Sequence, residues 1–306
     1  MNKTLILLYH HCNSYTYIKN RPDKKLYVTD KMFERQIKWL NEKFNIVSLS
    51  DGILKQKNKK IDNVVITFDD GHYDNYKYAY PILKLNNIPA IIFLTTSWIN
   101  KSNYQWRSDI VDLLLSSKEI YIINKYKEWQ KLKINKLNIN IIYKQISEMF
   151  VLSNQSKRRL LLKQILDKNL KTIKDRKKDF LNWDIIQKLF SEGIVNFGAH
   201  SHSHTFLSDL SLSKAKLDIM KSKSIIETKI NTNIVHFAYP YGKENAAYTR
   251  EYKIIKNLKF KTGCTSIPGN LNFKKKNYNP YALPRLSIDG RWNFNTFKLQ
   301  IENHLV

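Results

Sequence analysis

Short apolar runs suited to buried strands alternate along this sequence with segments of helical periodicity. The strand-like runs are Thr4–Tyr9, Asn45–Leu49, Val64–Phe68, Ala90–Leu94, Ile194–Phe197, Val235–Ala238 and Phe260–Thr265. Helical patterns between them cover Asp74–Leu85, Leu181–Phe190 and Ser213–Ile230. In the last pattern, Ser213 is the predicted N-cap, and Leu217 and Met220 lie on the predicted apolar face. Strands that alternate with helices build βαβ units, so the sequence predicts an α/β fold with a largely parallel sheet or barrel.

Residues 105–180 interrupt this alternation with helical patterns at Ile110–Leu115, Tyr143–Phe150 and Lys157–Leu170. Only Tyr121–Ile123 has strand character there. We therefore expect one domain over residues 1–306 that carries a helical insertion at about 105–180 without a core of its own. Residues 118–178 contain 14 Lys and 3 Arg against 2 Asp and 3 Glu, a net charge of 17 − 5 = +12. Helical patterns of this kind should leave these cations exposed.

The charge of the whole chain restricts its partners without identifying one. Its 306 residues have a formal net charge of +26. Such a charge suits an anionic membrane surface, nucleic acid or an acidic polymer, and it also follows from the Lys, Asn and Ile richness of an AT-rich coding sequence. The lysines are not interleaved with glycines or aromatic residues as in nucleic-acid-binding motifs, so nucleic acid is the least favoured partner.

The cysteine content and the hydropathy indicate a compartment. Two cysteines, Cys12 and Cys264, provide no disulfide framework. No segment has 18 uninterrupted apolar residues, so no membrane span is predicted. The N-terminal residues 1–10 are interpreted as a first strand and not as a signal peptide. A cytoplasmic location is the resulting expectation, at the inner face of the membrane if the basic charge is functional.

Two acidic residues, Asp69 and Asp70, close the apolar strand Val64–Phe68. Another strand runs into His200-Ser201-His202-Ser203-His204, which places two histidines four residues apart. One carboxylate and two imidazoles make a metal site with open positions, and the second carboxylate is then available as a base. Each half also has an ordinary explanation, since Asp-Asp-Gly is a common turn and a His-x-x-x-His pair is weak alone. Their joint occurrence at strand ends favours the metal site.

Three strings in this order resemble the polysaccharide deacetylase (NodB-homology, carbohydrate esterase family 4) domain. They are Thr67-Phe68-Asp69-Asp70-Gly71, then Gly198-Ala199-His200-Ser201-His202-Ser203-His204, then Phe237-Ala238-Tyr239-Pro240-Tyr241-Gly242. The segments Leu7–His10, Ala79–Leu83, Ile88–Leu94 and Leu283–Leu286 are also similar to the family. The resemblance covers roughly residues 4–100 and 180–290, and the insertion lies outside it.

The resemblance implies a distorted (β/α) barrel that hydrolyses the N-acetyl group of a sugar. It assigns the general base to Asp69 and the metal ligands to Asp70, His200 and His204. The backbone N–H of Tyr241 would stabilise the oxyanion. Ser201 would bond nearby and fix an imidazole, whereas His202 would point away from the ligands. A divalent metal, most consistent with Zn²⁺, is the implied cofactor.

The sequence departs from the family pattern at two catalytic positions. An arginine that orients the base often lies two residues before the motif-three proline, where this chain has Ala238. Arg285 could take that role or form a surface salt bridge. The late Leu-x-His motif that carries the general acid is not recognisable. His10, at the end of the first strand, is the better candidate for the acid, with a structural hydrogen-bonding role as the alternative.

The leading functional hypothesis is a metal-dependent deacetylase of a nucleotide- or lipid-linked amino sugar in surface glycan (lipopolysaccharide or capsule) biosynthesis. The basic insertion would then contact an anionic membrane or a pyrophosphate-linked sugar. One alternative is a deacetylase of a polymer such as peptidoglycan or an exopolysaccharide. Another is a catalytically impaired barrel that only binds glycan.

Overall fold

The computed structural model describes residues 3–54, 61–100, 105–124, 126, 128–151, 153, 155–272 and 278–305. Met1 and Asn2, at the start of the predicted first strand, therefore lie outside the described residues. The strands are β1 (Lys3–Tyr9), β2 (His11–Asn13), β3 (Tyr27–Thr29), β4 (Asn45–Ile46), β5 (Asn63–Phe68), β6 (Ala90–Leu94), β7 (Glu119–Ile123), β8 (Trp129–Lys133), β9 (Val195–Ala199), β10 (His236–Ala238), β11 (Thr262–Cys264), β12 (Leu271–Asn272) and β13 (Leu286–Ser287).

Helices fill most of the remaining chain. The α-helices are α1 (Tyr15–Ile18), α2 (Asp30–Lys43), α3 (Leu49–Gly52), α4 (Tyr80–Leu85), α5 (Thr96–Ile99), α6 (Trp106–Ser116), α7 (Ile139–Val151), α8 (Gln155–Lys168), α9 (Trp183–Ser191), α10 (Leu212–Ile230), α11 (Thr249–Asn257) and α12 (Phe294–Leu305). A π-helical turn over Asn75–Ala79 leads directly into α4. Short 3₁₀ turns cover Lys24–Leu26, Lys177–Asp179 and Leu207–Asp209.

The main sheet is a curled half-barrel in the order β11-β10-β9-β6-β5-β1-β12, with β4 beside β5 and β13 beside β1. Its pairings are parallel except that of β1 with β12. All six residues of β5 are buried, as expected for a parallel strand covered on both faces. The predicted distorted (β/α) barrel is confirmed. The carboxyl ends of β1, β5, β6, β9 and β10 consequently meet at one rim.

Two hydrophobic clusters cover the two faces of this sheet. The larger one packs the outer helices against the strands and contains Phe33, Leu83, Ile186, Ile226 and Phe297. The smaller one lies on the opposite face and contains Ile6, Val65, Phe93, Ala238 and Cys264. The alternation of side chains along each strand explains this division. The inner cluster forms the floor below the rim.

The predicted start and apolar face of α10 were wrong. The helix begins at Leu212, and Ser211 caps it by accepting a hydrogen bond from the Lys214 N–H. Leu217 and Met220 are exposed, whereas Ala215, Ser222 and Ile226 are buried on the other side of the helix. Ser222 is a polar residue on the buried face, so hydrophobicity alone points to the wrong stripe of this helix.

The insertion has a hydrophobic cluster of its own, contrary to expectation. It contains α6, α7, α8 and the antiparallel hairpin β7–β8, and its core includes Trp106, Ile110, Ile146, Phe150 and Leu162. Tyr121–Ile123 lies in β7, which is longer than the predicted strand character. Its partner β8 was not predicted, because β8 is polar and largely exposed and has no apolar pattern. Within the described part of the chain, no helix combines the length and apolarity needed to cross a bilayer.

Candidate active site

A tight turn at the end of β5 presents two carboxylates to the rim. Asp70 and Gly71 both have φ of +80°, and the aspartates are 3% (Asp69) and 8% (Asp70) exposed. The left-handed conformation is costly for a residue with a Cβ, so the surrounding contacts must hold Asp70 in it. The turn directs the two carboxylates into different surroundings.

Asp70, His200 and His204 form one cluster whose candidate ligand atoms all lie within 4.8 Å of one another. The Asp70 Oδ1 atom is 3.2 Å from His204 Nε2 and 3.5 Å from His200 Nε2. Although it is buried, this oxygen has no hydrogen bond of acceptable geometry within the described residues. A buried carboxylate oxygen without a donor, faced by two imidazole nitrogens, is the arrangement that a divalent cation would complete. These three residues therefore fit a metal.

Contacts behind the imidazoles fix their orientation. His200 Nδ1 lies 2.8 Å from the Ala238 carbonyl oxygen, so this nitrogen carries the proton and Nε2 presents its lone pair to the cluster. Burial lowers the pKa of His200 more than the neighbouring Asp69 raises it, which keeps the ring neutral. The His204 ring lies between Trp98 and Tyr241, with centroid distances of 4.4 and 5.0 Å. Neutral, oriented imidazoles are the form that binds metals.

Ser201 bonds the backbone of His204, one of the two imidazole residues of the cluster. Its hydroxyl accepts a hydrogen bond of 3.0 Å from the backbone N–H of His204. Ser201 and His204 have φ of +62° and +49°, so the serine stabilises an irregular turn. His202 lies outside the metal cluster, and its ring Nδ1 is 2.8 Å from the Thr96 hydroxyl.

Sequence reasoning missed His72, which contacts the second oxygen of Asp70. His72 Nε2 is 3.3 Å from Asp70 Oδ2, and the ring stacks between His11 and Phe180. Burial alone would raise the pKa of Asp70, but the neighbouring His204 and His72 together hold it well below its usual range. The position of His72, two residues after Asp70, was the available signal.

Asp69 forms a bidentate ion pair with Arg285. Both distances, Nη1 to Oδ1 and Nη2 to Oδ2, are 2.7 Å. Burial alone would raise the pKa of Asp69, but the charge and hydrogen bonds of Arg285 outweigh it, so the pKa lies below the usual value. The structure thus brings Arg285 to the site and buries it fully, an arrangement incompatible with a surface salt bridge.

Further contacts hold Arg285 in place from below the rim. Its Nε donates to the Thr265 carbonyl oxygen at 2.7 Å, and Nη1 also reaches the Thr67 hydroxyl at 3.2 Å. The guanidinium lies 5.5 Å from the Phe93 ring centroid. Ala238 lies in the same inner cluster. In this chain the guanidinium therefore reaches the carboxylate from the segment before β13 and not from the end of β10.

His10 follows β1 at the rim. Burial lowers the pKa of His10 to about 4, although Asp70 and Asp69 oppose this effect. The residue is half-buried, with its exposed part facing the rim. At neutral pH, His10 is therefore an uncharged imidazole near both carboxylates.

The loop after β10 places Tyr241 over the cluster. Tyr241 and Gly242 have φ of +63° and +58°. Ser266 holds this turn, because its hydroxyl donates to the Tyr241 carbonyl oxygen at 2.6 Å and its N–H donates to that of Gly242 at 2.8 Å. In the described part of the chain, the Tyr241 N–H has no hydrogen-bond acceptor. This donor is available to a ligand.

The insertion also reaches the site, which the sequence did not predict. Arg158 of α8 was expected to be exposed, but it is 2% exposed and its guanidinium lies 5.4 Å from the Tyr241 ring centroid. Arg176, in the same basic region, is also buried and pairs with Asp109 and Asp112. The expectation of uniform exposure was wrong because arginine forms buried multidentate contacts that a helical pattern does not reveal.

The chain is similar to known proteins in sequence and in fold. The family model described as polysaccharide deacetylase matches residues 56–262. A poly-beta-1,6-N-acetyl-D-glucosamine N-deacetylase of Staphylococcus aureus is 29% identical over 140 residues, which cover 42% of this chain and 47% of that protein. The chain spans 47% of that relative and 32% of a putative polysaccharide deacetylase, YxkH, of Bacillus subtilis, to which it is 36% identical over 96 residues.

Two solved structures share the fold over nearly the whole chain. The deacetylase PplD of Streptococcus pyogenes, solved with acetate, has a TM-score of 0.61 at 18% identity and covers 99% of this chain and 98% of its own. IcaB from Ammonifex degensii has a TM-score of 0.60 at 14% identity and covers 100% and 97% of the two chains.

Proposed function

The chain belongs to the polysaccharide deacetylase family, and we propose that it removes the N-acetyl group of an amino sugar by metal-dependent hydrolysis. One observation carries the proposal: the two adjacent carboxylates have separate partners. Asp70 faces the two imidazoles, whereas Asp69 is held by Arg285. This division matches the chemical need for one metal-binding carboxylate and one base.

Asp70, His200 and His204 would hold the metal, for which Zn²⁺ suits the ligand set of two imidazoles and one carboxylate. A bound divalent ion would polarise the acetyl carbonyl and lower the pKa of the attacking water. His72 and the Ala238 carbonyl would keep two of the ligand side chains oriented. These contacts support the proposed ligand roles.

Asp69 is the proposed general base. The Asp69 Oδ2 atom lies 3.9 Å from His200 Nε2, so this carboxylate borders the cluster without replacing a ligand. Arg285 keeps it ionised and fixes the direction of its oxygens. Asp69 would accept the proton of the attacking water.

Two further groups would act on the acyl centre and on the leaving group. The Tyr241 N–H, which lacks an acceptor in the described residues, would donate to the developing oxyanion and contribute about 3 kcal/mol. His10 remains the proposed acid. Because His10 is neutral in the resting protein, the proton that Asp69 removes from the water would have to pass to His10 before His10 could donate it to the amine.

We propose that the sugar is carried by a nucleotide or lipid pyrophosphate of surface glycan biosynthesis. Burial and then the charges of Arg107, Lys243 and Arg291 lower the pKa of the Lys25 ammonium, whereas Asp289, which pairs with Arg291, raises it. Burial alone would lower the pKa of Arg107, but Tyr143, Tyr241 and Asp70 raise it above the usual value. Since Tyr241 and Asp70 belong to the candidate site, this cationic group adjoins it. An anionic carrier would suit it.

A polymer substrate is the second candidate, and the similarity to the S. aureus N-deacetylase of poly-beta-1,6-N-acetyl-D-glucosamine favours it. Mass spectrometry of acetate release separates the two candidates. UDP- and undecaprenyl-linked N-acetylhexosamines are compared with β-1,6-linked N-acetylglucosamine oligomers, each with added Zn²⁺ or Co²⁺. Faster release from the oligomers would overturn the carrier proposal, and release from none would favour a glycan-binding barrel.

A further inference from the structure

Arg158 joins two helices of the insertion. Its Nε donates to the Phe150 carbonyl oxygen at 2.6 Å, and its Nη2 donates to that of Val151 at 3.2 Å. Phe150 and Val151 are the last two residues of α7, where carbonyl groups lack partners within the helix. A cation at this helix end is favourable. These contacts alone would make Arg158 a structural residue of the insertion.

The other face of the same guanidinium lies against the candidate active site. Its carbon is 4.8 Å from the Phe206 ring centroid and 5.4 Å from that of Tyr241. Phe206 and Tyr241 stack with centroids 3.9 Å apart and planes inclined by 12°. Arg158 Nη1 also reaches the Tyr241 hydroxyl at a long 3.5 Å. Arg158 thus lies beside the stacked pair, and the Tyr241 ring in turn contacts that of His204.

The conformation of Tyr241 depends on such outside contacts. Its φ of +63° is unfavourable for a residue with a Cβ, and the glycine that follows provides little restraint. Ser266 holds the carbonyl side of the turn. The ring side is held by Phe206, His204 and Arg158. A shift of the ring would rotate the adjoining peptide and redirect the Tyr241 N–H.

We propose that Arg158 is a positioning residue through which the insertion fixes Tyr241 for catalysis. The inference rests on the proposed function in assigning the Tyr241 N–H to the oxyanion. On this proposal the insertion contributes a residue that acts at the site, and is not only an appended subdomain. A guanidinium is required on this account, because a lysine ammonium can bond the α7 carbonyls but cannot at the same time reach the Tyr241 hydroxyl and the sides of both rings.

Arg158→Lys and Arg158→Gln test the proposal, with the exposed neighbour Arg159→Gln as control. Both Arg158 variants should lose about 10- to 100-fold in kcat, the scale expected for a misdirected oxyanion donor. KM should change less than about threefold, since substrate binding is not the affected step. Arg158→Lys should keep the wild-type Tm, whereas Arg158→Gln should lower it. Wild-type kcat in Arg158→Lys would overturn the proposal.

Hydrogen exchange tests the contact between Arg158 and the Tyr241 turn without any measurement of activity. The Ser266 N–H, which donates to the Gly242 carbonyl oxygen of this turn, should exchange faster in both Arg158 variants than in wild type or Arg159→Gln. If wild type hydrolyses no substrate but this exchange pattern holds, the proposed function fails while the positioning contact stands. Unchanged exchange would overturn the contact itself.

A double-mutant cycle with Tyr241→Leu isolates the ring contact, because leucine keeps the backbone N–H. In the Tyr241→Leu background, Arg158→Gln should cause less than a twofold further loss of kcat. Additive losses would show that Arg158 acts elsewhere and would overturn the proposal.

Discussion

Arg285 and Asp69, 216 positions apart in the sequence, form two parallel hydrogen bonds of 2.7 Å. The pair is fully buried on the arginine side and nearly so on the carboxylate side. Parallel fork contacts of this type fix both the charge and the direction of a carboxylate. Ala238 in the third motif therefore does not imply a missing guanidinium in this site, because Arg285 provides one from another segment.

The first prediction concerns the pH dependence of kcat/KM, which the ion pair between Arg285 and Asp69 should determine. The Arg285 charge favours ionised Asp69, so Arg285→Gln should raise the pKa of Asp69. Since a base must be ionised to act, the acid limb of the kcat/KM profile should move to higher pH. Arg285→Lys should show a smaller shift in the same direction, because it keeps one charge but not the fork.

The free energy of unfolding should be measured on the same two variants. Removing one partner of a buried pair typically costs about 3–5 kcal/mol, so circular dichroism must establish that each variant is folded. An acid limb that stays in place in a folded Arg285→Gln would show that Arg285 does not tune Asp69.

The second prediction separates the adjacent carboxylates. Asp69→Asn should retain the metal and lose several orders of magnitude in kcat, because the ligand set is intact and the base is gone. Asp70→Asn should bind metal weakly, because it loses the charged oxygen that faces His200 and His204. Metal content by inductively coupled plasma mass spectrometry checks both. Loss of metal in Asp69→Asn alone would reverse the two roles.

The third prediction concerns the three histidines of the second motif. His200→Ala and His204→Ala should each lose metal and activity, whereas His202→Ala should keep the metal because its ring bonds Thr96 outside the cluster. Isothermal titration with Zn²⁺ provides the affinities. Equal weakening in all three variants would refute the ligand assignment.

The fourth prediction is a pH-dependent stability from His236, which lies away from the metal cluster. Its ring nitrogens lie 2.7 Å from the Thr262 hydroxyl and 2.8 Å from the Ser50 hydroxyl. Burial and the charge of Lys261 lower the pKa of His236 to about 4. Above pH ~6.5 both folded and unfolded states hold it neutral, so its contribution to stability is fully present.

Between pH ~6.5 and about 4, the unfolded state binds a proton that the folded state does not. The free energy of unfolding should therefore fall with decreasing pH, by about 3 kcal/mol in total from this residue. Urea unfolding of wild type and His236→Gln at pH 7.5 and 4.5 measures the difference. Equal pH dependence in the two proteins would remove His236 as a cause.

The fifth prediction concerns membrane contact, with the buried Arg158 now excluded from the surface. Lys157 and Arg159 are exposed on α8. If the insertion contacts anionic lipid, each nearby cation should add up to about 1 kcal/mol at low salt. The protein should co-sediment with anionic and not with neutral vesicles, and Lys157→Glu/Arg159→Glu should bind less. Equal binding to neutral and anionic vesicles would leave coding-sequence bias as the explanation of the basic residues.

Much of the fold and the centre of the candidate site followed from the sequence. Strands such as β5 and β6 are contiguous apolar runs, and the motifs at their ends carry Asp69, Asp70, His200 and His204 at fixed positions. The buried face of α10 did not follow, because Ser222 is on it and Leu217 is not. Packing against neighbouring elements decides which stripe of a helix is covered.

The sequence by itself therefore determined which side chains stand at the ends of the parallel strands, because strand patterns and turn motifs are local. Only the tertiary structure decided which side chains from distant parts of the chain contact these strand-end residues. Arg285 reaches Asp69 because β13 pairs with β1, and Arg158 reaches Tyr241 because the insertion folds back over the rim. Such contacts depend on the order of the strands in the sheet and on the direction of long side chains. Neither produces a periodic pattern in the sequence.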